Sequence, residues 1–343
     1  MGLDKKGSPK TNKLFMNIFD CKDYSVLPYN SETRCPLCNS VGEFSFLGRD
    51  QLYNKTETYR YMQCGCCEAV YQDPMPTTDQ ISSLYPEDYK PHKQLGVPKQ
   101  DSQLKLAVLH HKYGYRNLKV PRILRLIAPI LSVFKYRYSI HFVPNGKAID
   151  IGCGNGKFMR DMNSLGWKFE GVEFNPIAVN ACRSIGLKVF HGYLHAAAFK
   201  NNSFDLITAR HVIEHIPTPD SFMHEISRVL KKGGRLVIET PNSKALGRQW
   251  FGTNWFANDV PRHLVLYCIM NIHMLARRHG LRLVKTKMFT SPKIILNSWD
   301  YMTGNQDRPS KKRKVRRLLA QLYVVLATLC GRGDVIFAIY EKS

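Results

Sequence analysis

Residues 148–159 read AIDIGCGNGKFM. Ala148-Ile149-Asp150-Ile151 has the look of a short apolar strand, Gly152-Cys153-Gly154-Asn155-Gly156 is a glycine loop, and Lys157-Phe158-Met159 opens a helix. Glycine is needed where the backbone turns sharply or where a ligand passes so close that a Cβ would clash. A plain strand-to-helix turn uses the same residues, so the loop alone is a weak signal. Its surroundings sharpen it. Asp150 stands two residues before the first glycine, and Glu173 ends the next apolar run, Phe169-Glu170-Gly171-Val172-Glu173. A carboxylate about 20 residues after such a loop accepts hydrogen bonds from ribose hydroxyls. The spacing is GxGxG rather than the GxGxxG of dinucleotide binders, and no Walker lysine–serine pair follows.

Outward from the loop, strand-like runs recur at Leu187–Phe190, Phe204–Thr208, Arg235–Glu239, Leu281–Met288 and Val335–Tyr340. Between them, Met223 to Leu230 has helical periodicity and meets Lys231-Lys232-Gly233-Gly234, a basic last turn with a glycine stop. Strands alternating with helices predict an α/β fold, a parallel sheet covered on both faces.

The motifs AIDIGCGNGKFM, GVEFNP, FDLITARHVIEHIPTP and ISRVLKKGGRLVIETPN occur in that order. Together they resemble class I S-adenosylmethionine-dependent methyltransferases, close to the ubiquinone-biosynthesis-like branch, over roughly residues 146–290. The resemblance implies a Rossmann-like seven-stranded sheet with an antiparallel last strand. It implies that Asp150, Gly152, Gly154 and Gly156 cradle the methionine part of S-adenosylmethionine and that Glu173 holds its ribose. His191-Gly192-Tyr193-Leu194 would lie near the adenine, where many relatives carry an acidic residue that this chain lacks. Transfer from a sulfonium is an in-line displacement, so catalysis is mostly positioning, plus a base if the acceptor must lose a proton.

His211-Val212-Ile213-Glu214-His215 follows the fourth strand. It fits HxxEH, but the zinc-hydrolase use of that pattern needs a full helix, and Pro217 and Pro219 follow closely. The resemblance places the segment beside the transferred methyl, making His211 and His215 base candidates. The alternative is structural, with His215 bonding the loop and Glu214 ordering it. Some quinone-pathway relatives bind a divalent metal here through two glutamates and a histidine, and His211 stands where the first glutamate would be. Trp255-Phe256 and Pro261-Arg262-His263-Leu264 resemble an acceptor-side insertion. His263 is a further base candidate and Arg262 a contact for an acidic substrate, against the alternative of a packed loop with an aromatic plug.

Of ten cysteines, Cys35/Cys38 and Cys64/Cys67 form two CxxC pairs. Four thiolates at this spacing predict a closed, tetrahedral, structural zinc site. Cys66 is an alternative ligand, though the spacing favours Cys67. The expected organisation is a zinc-ribbon-like β module at 31–90, a basic, partly helical linker at 91–145 and a methyltransferase domain at 146–343, behind a poorly ordered stretch or extended lead-in at 1–30.

Fifty Lys and Arg against twenty-seven Asp and Glu leave a net charge of +23. Such a field implies an anionic partner: a membrane surface, RNA, or an acidic acceptor. Leu118 to Phe134 and the run from Lys311 through Arg317 to Cys330 are basic-apolar segments, read either as helices covering the sheet or as helices lying on an anionic membrane. With no apolar leader and no long apolar span, the reading is a cytoplasmic protein, peripheral to the membrane's inner face if those helices dock there. The expected activity is methyl transfer to an oxygen or carbon of a small molecule, sugar or lipid-linked glycan. RNA methylation and a non-catalytic, zinc-anchored binding protein are the alternatives.

Overall fold

The computed structural model describes residues 34–85, 101–134, 140–304 and 312–343. The lead-in expected at 1–30 lies outside the described residues.

Two sheets form. The larger has seven strands: β4 (Lys147–Ile151), β5 (Lys168–Glu173), β6 (Val189–His191), β7 (Phe204–Arg210), β8 (Leu230–Pro241), β10 (Leu281–Phe289) and β11 (Val335–Lys342). Their order is β10-β11-β8-β7-β4-β5-β6. β4 pairs parallel with β5 and β7, and β7 pairs parallel with β8. Only β11 runs against its neighbours, β8 and β10. This is the expected sheet, its last strand antiparallel and wedged one place in from the edge. The strand order reverses at β4, and open α/β sheets bind ligands beyond the carboxyl ends of strands at such a switch point.

The helix before β8 is α6 (Pro219–Val229). Lys231–Gly234 is not its last turn. The chain is extended from Leu230, and the four residues form an excursion within β8 where its register to β7 slips between Phe204 and Leu206. The extended pairing at Leu230 and the positive φ of Gly233 together take the place of a helical stop.

The smaller sheet contains β1 (Gly42–Arg49), β2 (Thr58–Cys64), β3 (Val70–Asp73) and β9 (Val265–Leu266), in that order. Its fourth strand is thus supplied by the segment between α7 (Leu246–Phe251) and α8 (Ile269–Arg278). One apolar core joins the two sheets: Leu37, Met62 and Tyr71 pack in the same cluster as Ile149, Ile207 and Ile238. Asn271 Nδ2 donates to the Cys67 carbonyl, and Arg278 to that of Leu37. Residues 34–85 and the large sheet therefore share one apolar core. The stretch between carries α2 (Gln103–Lys112) and α3 (Arg122–Phe134), and Val108, Leu109, Tyr113 and Tyr115 bury against Trp167 and Phe169.

Candidate active site

The glycine loop leaves β4 at the switch point. Gly152, Gly154 and Gly156 all have positive φ, +62°, +52° and +76°. The amides of Gly152 and Cys153 bond the Val172 carbonyl, which stitches the loop to β5. A Cβ on Gly152 would sit 2.5 Å from Val212, and one on Gly156 2.5 Å from Leu187. A Cβ on Gly154 would meet nothing within 4 Å. The space beside Gly154 is open, as a ligand threading past this backbone requires.

Glu173 is buried at the end of β5. One oxygen accepts from the Gly154 amide at 2.8 Å and the other from the Asn175 amide at 2.9 Å. A carboxylate has about four lone-pair sites, so two remain for a diol. Asp150 is also buried; burial pushes its carboxyl up to about 6, against the opposing pull of Arg210 and the Thr208 hydroxyl 2.5 Å away. Beyond Glu173, Phe174 and Tyr193 lie parallel with centroids 6.1 Å apart, and His195 stacks on Tyr193 at 5.9 Å. The carboxylate, the open cradle and the flat aromatic wall fit the ribose, methionine chain and adenine of S-adenosylmethionine.

His211 follows β7 directly. Its backbone is left-handed, φ +55°, rare for a residue with a Cβ and frequent where strain serves a site. Val212 beside it contacts Gly152, so the segment abuts the cofactor loop. His211 Nδ1 lies 3.2 Å from Glu214 Oε1, and Glu214 Oε2 accepts from the Thr240 hydroxyl at 2.9 Å. Glu214 is fully buried, while His211, though walled in by protein, keeps half of its side-chain surface open. Burial favours the neutral imidazole, but the Glu214 carboxylate outweighs it and holds His211 above the ordinary histidine value. In return, burial would raise Glu214, yet the His211 bond and the nearby imidazoles hold it down at about 2.

His215 and His263 sit deeper, with ring centroids 4.8 Å apart. His215 Nδ1 lies 2.9 Å from the Arg262 carbonyl and 2.8 Å from the Tyr85 hydroxyl. A carbonyl only accepts, so Nδ1 carries the proton. Burial, then the His263 charge, push His215 down to about 4. His263 Nδ1 likewise donates to the Ala257 carbonyl at 2.9 Å, and its Nε2 stands 3.9 Å from Glu214 and 3.8 Å from Asp259. Donor atoms of Glu214, His215 and His263 all lie within 4.8 Å of one another, close enough to share a cation. His211, His215 and His263 thus converge on one carboxylate. Sequence singled out the histidines and gave Glu214 the ordering of the loop, but not the gathering of all three. Thr240 and Tyr85 carried no local signal, because only the fold brings them there.

Arg262 does not face the cleft. It is buried, with bonds to Asp50 at 2.8 and 3.1 Å and to Asp259 at 2.7 and 3.0 Å. The expected substrate contact is instead a clamp between the first sheet and the 255–266 loop, where Trp255 Nε1 also donates to buried Asp334. Arg262→Ala should cost about 3–5 kcal/mol, since it strands buried carboxylates. Arg262→Lys should recover little, lacking the two-pronged geometry. Denaturant midpoints check this; an unchanged midpoint with a raised KM would restore the substrate role.

The four cysteines meet at one point. Cys35 and Cys67 sulfurs are 3.5 Å apart, Cys38 and Cys64 3.4 Å, and all four lie within 4.8 Å. A tetrahedron with metal–sulfur bonds of about 2.3 Å has edges of about 3.8 Å. Amides of Leu37, Cys66 and Cys67 point at these sulfurs, donations that stabilise thiolate charge and orient the sulfurs. Burial raises Cys38, but bonds from Ser40 and the neighbouring thiols win and bring it to about 6. Cys66 is exposed and stands outside the set.

The family described as "Methyltransferase domain" matches residues 121–286. A ubiquinone biosynthesis O-methyltransferase of Xanthomonas oryzae pv. oryzae is 29% identical over 125 residues, covering 34% of this chain and 52% of that protein. The same enzyme of Azoarcus sp. is 30% identical over 125 residues, covering 34% and 54%. The mitochondrial one of Schizosaccharomyces pombe is 29% identical over 111 residues, covering 30% and 40%. The chain spans about half the length of the curated relatives it matches. The loop after β4, the carboxylate closing β5 and the histidine segment after β7 fall within the matched region, and residues 121–286 carry a methyltransferase domain that belongs with the class I S-adenosylmethionine-dependent methyltransferases.

Proposed function

We propose that this protein transfers the methyl group of S-adenosylmethionine to an oxygen, or an acidic carbon, of a small-molecule, sugar or lipid-linked glycan acceptor, with His211 as the base. The observation that carries this reading is the His211–Glu214 pair at the carboxyl end of β7. When bound, the cofactor supplies a methyl group already activated on sulfur. The loop of Gly152, Gly154 and Gly156 would cradle its chain, with the open space lying beside Gly154, Glu173 would hold its ribose, and the Phe174–Tyr193 wall would flank its adenine. Glu214 fixes the proton of His211 on Nδ1 and leaves Nε2 with a lone pair on the half-open side. Nε2 would take the proton that the acceptor loses, Glu214 would stabilise the imidazolium formed, and the bound cofactor would supply the methyl group. His215 is held neutral and, with His263, shapes the floor beneath. The Cys35, Cys38, Cys64 and Cys67 cluster holds a structural zinc. An O-acceptor is favoured by the relatives' described reaction; RNA has only the net charge and the cysteine module behind it.

The test is methyl transfer to panels of phenolic, sugar and RNA acceptors. His211→Asn should cut kcat by about 10²–10⁴-fold while S-adenosylhomocysteine still binds. A base must be deprotonated, so kcat/KM should rise with pH through an apparent pKa above the ordinary value of about 6.5. In Glu214→Gln that limb should move to lower pH, because the carboxylate that raises His211 is gone. Turnover unchanged in His211→Asn sinks the base assignment. Turnover on RNA alone selects the RNA reading, and no cofactor binding selects the non-catalytic one.

A further inference from the structure

Helix α10 (Lys312–Leu329) is amphipathic in the wrong sense for a helix that merely covers a sheet. It buries a narrow seam, Ala320, Tyr323 and Ala327, against α9 (Pro292–Thr303) and the Trp255 cluster. The broad side it shows to solvent is Val315, Leu318, Leu319, Leu322, Val325, Leu326 and Leu329, spaced three and four residues apart; each is exposed, Leu329 by 81%. A soluble surface helix puts its Leu and Val inward and its charges out. Here Leu318–Leu329 contains no charged residue at all. A stripe this continuous on a surface marks an interaction site.

Two observations say what covers it. The first is charge. The helix opens Lys312-Arg313-Lys314-Val315-Arg316-Arg317 and contains no Asp or Glu. Arg316 is committed to Asp300 at 3.3 Å, which ties the helix start to α9, while Lys314 and Arg317 are exposed. The second is Trp250, 55% exposed, with its ring 5.3 Å from that of Tyr323 on the same helix. A basic cluster, an aliphatic face and a half-exposed tryptophan are what an anionic lipid surface binds: phosphates meet the cations, acyl chains the stripe, the interfacial zone the indole. The helix lies on the surface rather than crossing it, since no helix among the described residues is long and apolar enough to span a bilayer. α3 repeats the pattern, with Ile123, Leu126, Ile127 and Ile130 exposed, Arg122 and Arg125 for charge, and no acidic residue. A second protein copy would meet +23 with +23, so self-association through these faces is electrostatically opposed.

We infer that α10 docks this protein on an anionic membrane through its exposed Leu/Val stripe, its basic first turns and Trp250. The inference stands independently of the methyl-transfer reading. The full chain should be sedimented with phosphatidylcholine vesicles, with and without phosphatidylglycerol, and with duplex and single-stranded RNA. Binding to the anionic vesicles, a blue shift of tryptophan emission lost in Trp250→Phe, and weakening in high salt are expected. Leu322→Glu/Val325→Glu should reduce the partition coefficient at least tenfold. Lys314→Glu/Arg317→Glu should reduce it comparably at low salt. All these side chains are exposed, so circular dichroism and S-adenosylhomocysteine binding should not change. Wild-type-like partitioning of the Leu322/Val325 variant overturns the inference. So does absence of binding to anionic vesicles, preference for RNA over vesicles, or a stripe variant that only converts a dimer to a monomer.

Discussion

Stripping zinc from the full chain, or replacing Cys64 by serine, should unfold the first sheet and lower Tm by about 10 °C or more. Structural zinc is worth ~10–16 kcal/mol in isolated knuckle peptides. A domain's whole margin is only about 5–15 kcal/mol. The small sheet shares its core with the large one, and its last strand is β9, between the His263 loop and α8. Loss of the metal should therefore reach His263, whose carbonyl accepts from Tyr61 on β2. Cys66→Ser is the matched control: the residue is exposed, outside the four, and its loss should leave Tm and metal content unchanged. One zinc per chain, lost in Cys64→Ser and retained in Cys66→Ser, is the expected analysis. A chain that purifies without metal and melts identically in chelator would mean the thiols are simply packed, reduced cysteines.

The second large effect is expected at Glu173. Glu173→Ala should weaken S-adenosylhomocysteine binding about 100-fold by calorimetry. Hydrogen bonds to a charged acceptor are worth about 1.5–3 kcal/mol each, and about 1.4 kcal/mol is a factor of ten. Glu173 also ties the Gly154 and Asn175 amides in place, so part of the loss comes from a loosened loop. Glu173→Gln separates the two, since its single carbonyl keeps one amide tie but no longer serves the ribose diol with a charge. Gly152→Val should be equally damaging by another route, because its positive φ disfavours any side chain and its Cβ would strike Val212. Affinity within about threefold of wild type in Glu173→Ala would remove the ribose contact and with it the main support for the cofactor's placement.

Both effects sit at places legible in the sequence, and for the same reason. The glycine loop, the carboxylate one strand later and the paired CxxC motifs are short-range constraints: a turn, a strand end, a hairpin with two sulfurs. Strand alternation likewise gave the parallel sheet, and the family resemblance its antiparallel last member. The electrostatics of the site were not legible. His211, Glu214 and His215 are neighbours in the chain, but the partners that set their roles are not. Thr240 arrives because β8 pairs with β7, Arg262 and His263 because a loop folds back, and Tyr85 from 130 residues upstream. Arg262 looked like a substrate contact because one of the two carboxylates that neutralise it, Asp50, lies 212 positions away, and only the fold turns the other, Asp259, onto it.

The amphipathic helices mark the limit most clearly. The spacing of Leu and Val in residues 315–329 is set by 3.6 residues per turn, and that period is the same whether the apolar face meets a core or a membrane. The sequence alone determined that such a face exists, that cations precede it, and that the chain carries a Rossmann-like sheet with a cysteine cluster. Only the tertiary structure decided which side turns inward. It buried Ala320, Tyr323 and Ala327, the side chains that fit close against α9, and left the larger aliphatic surface exposed among the described residues.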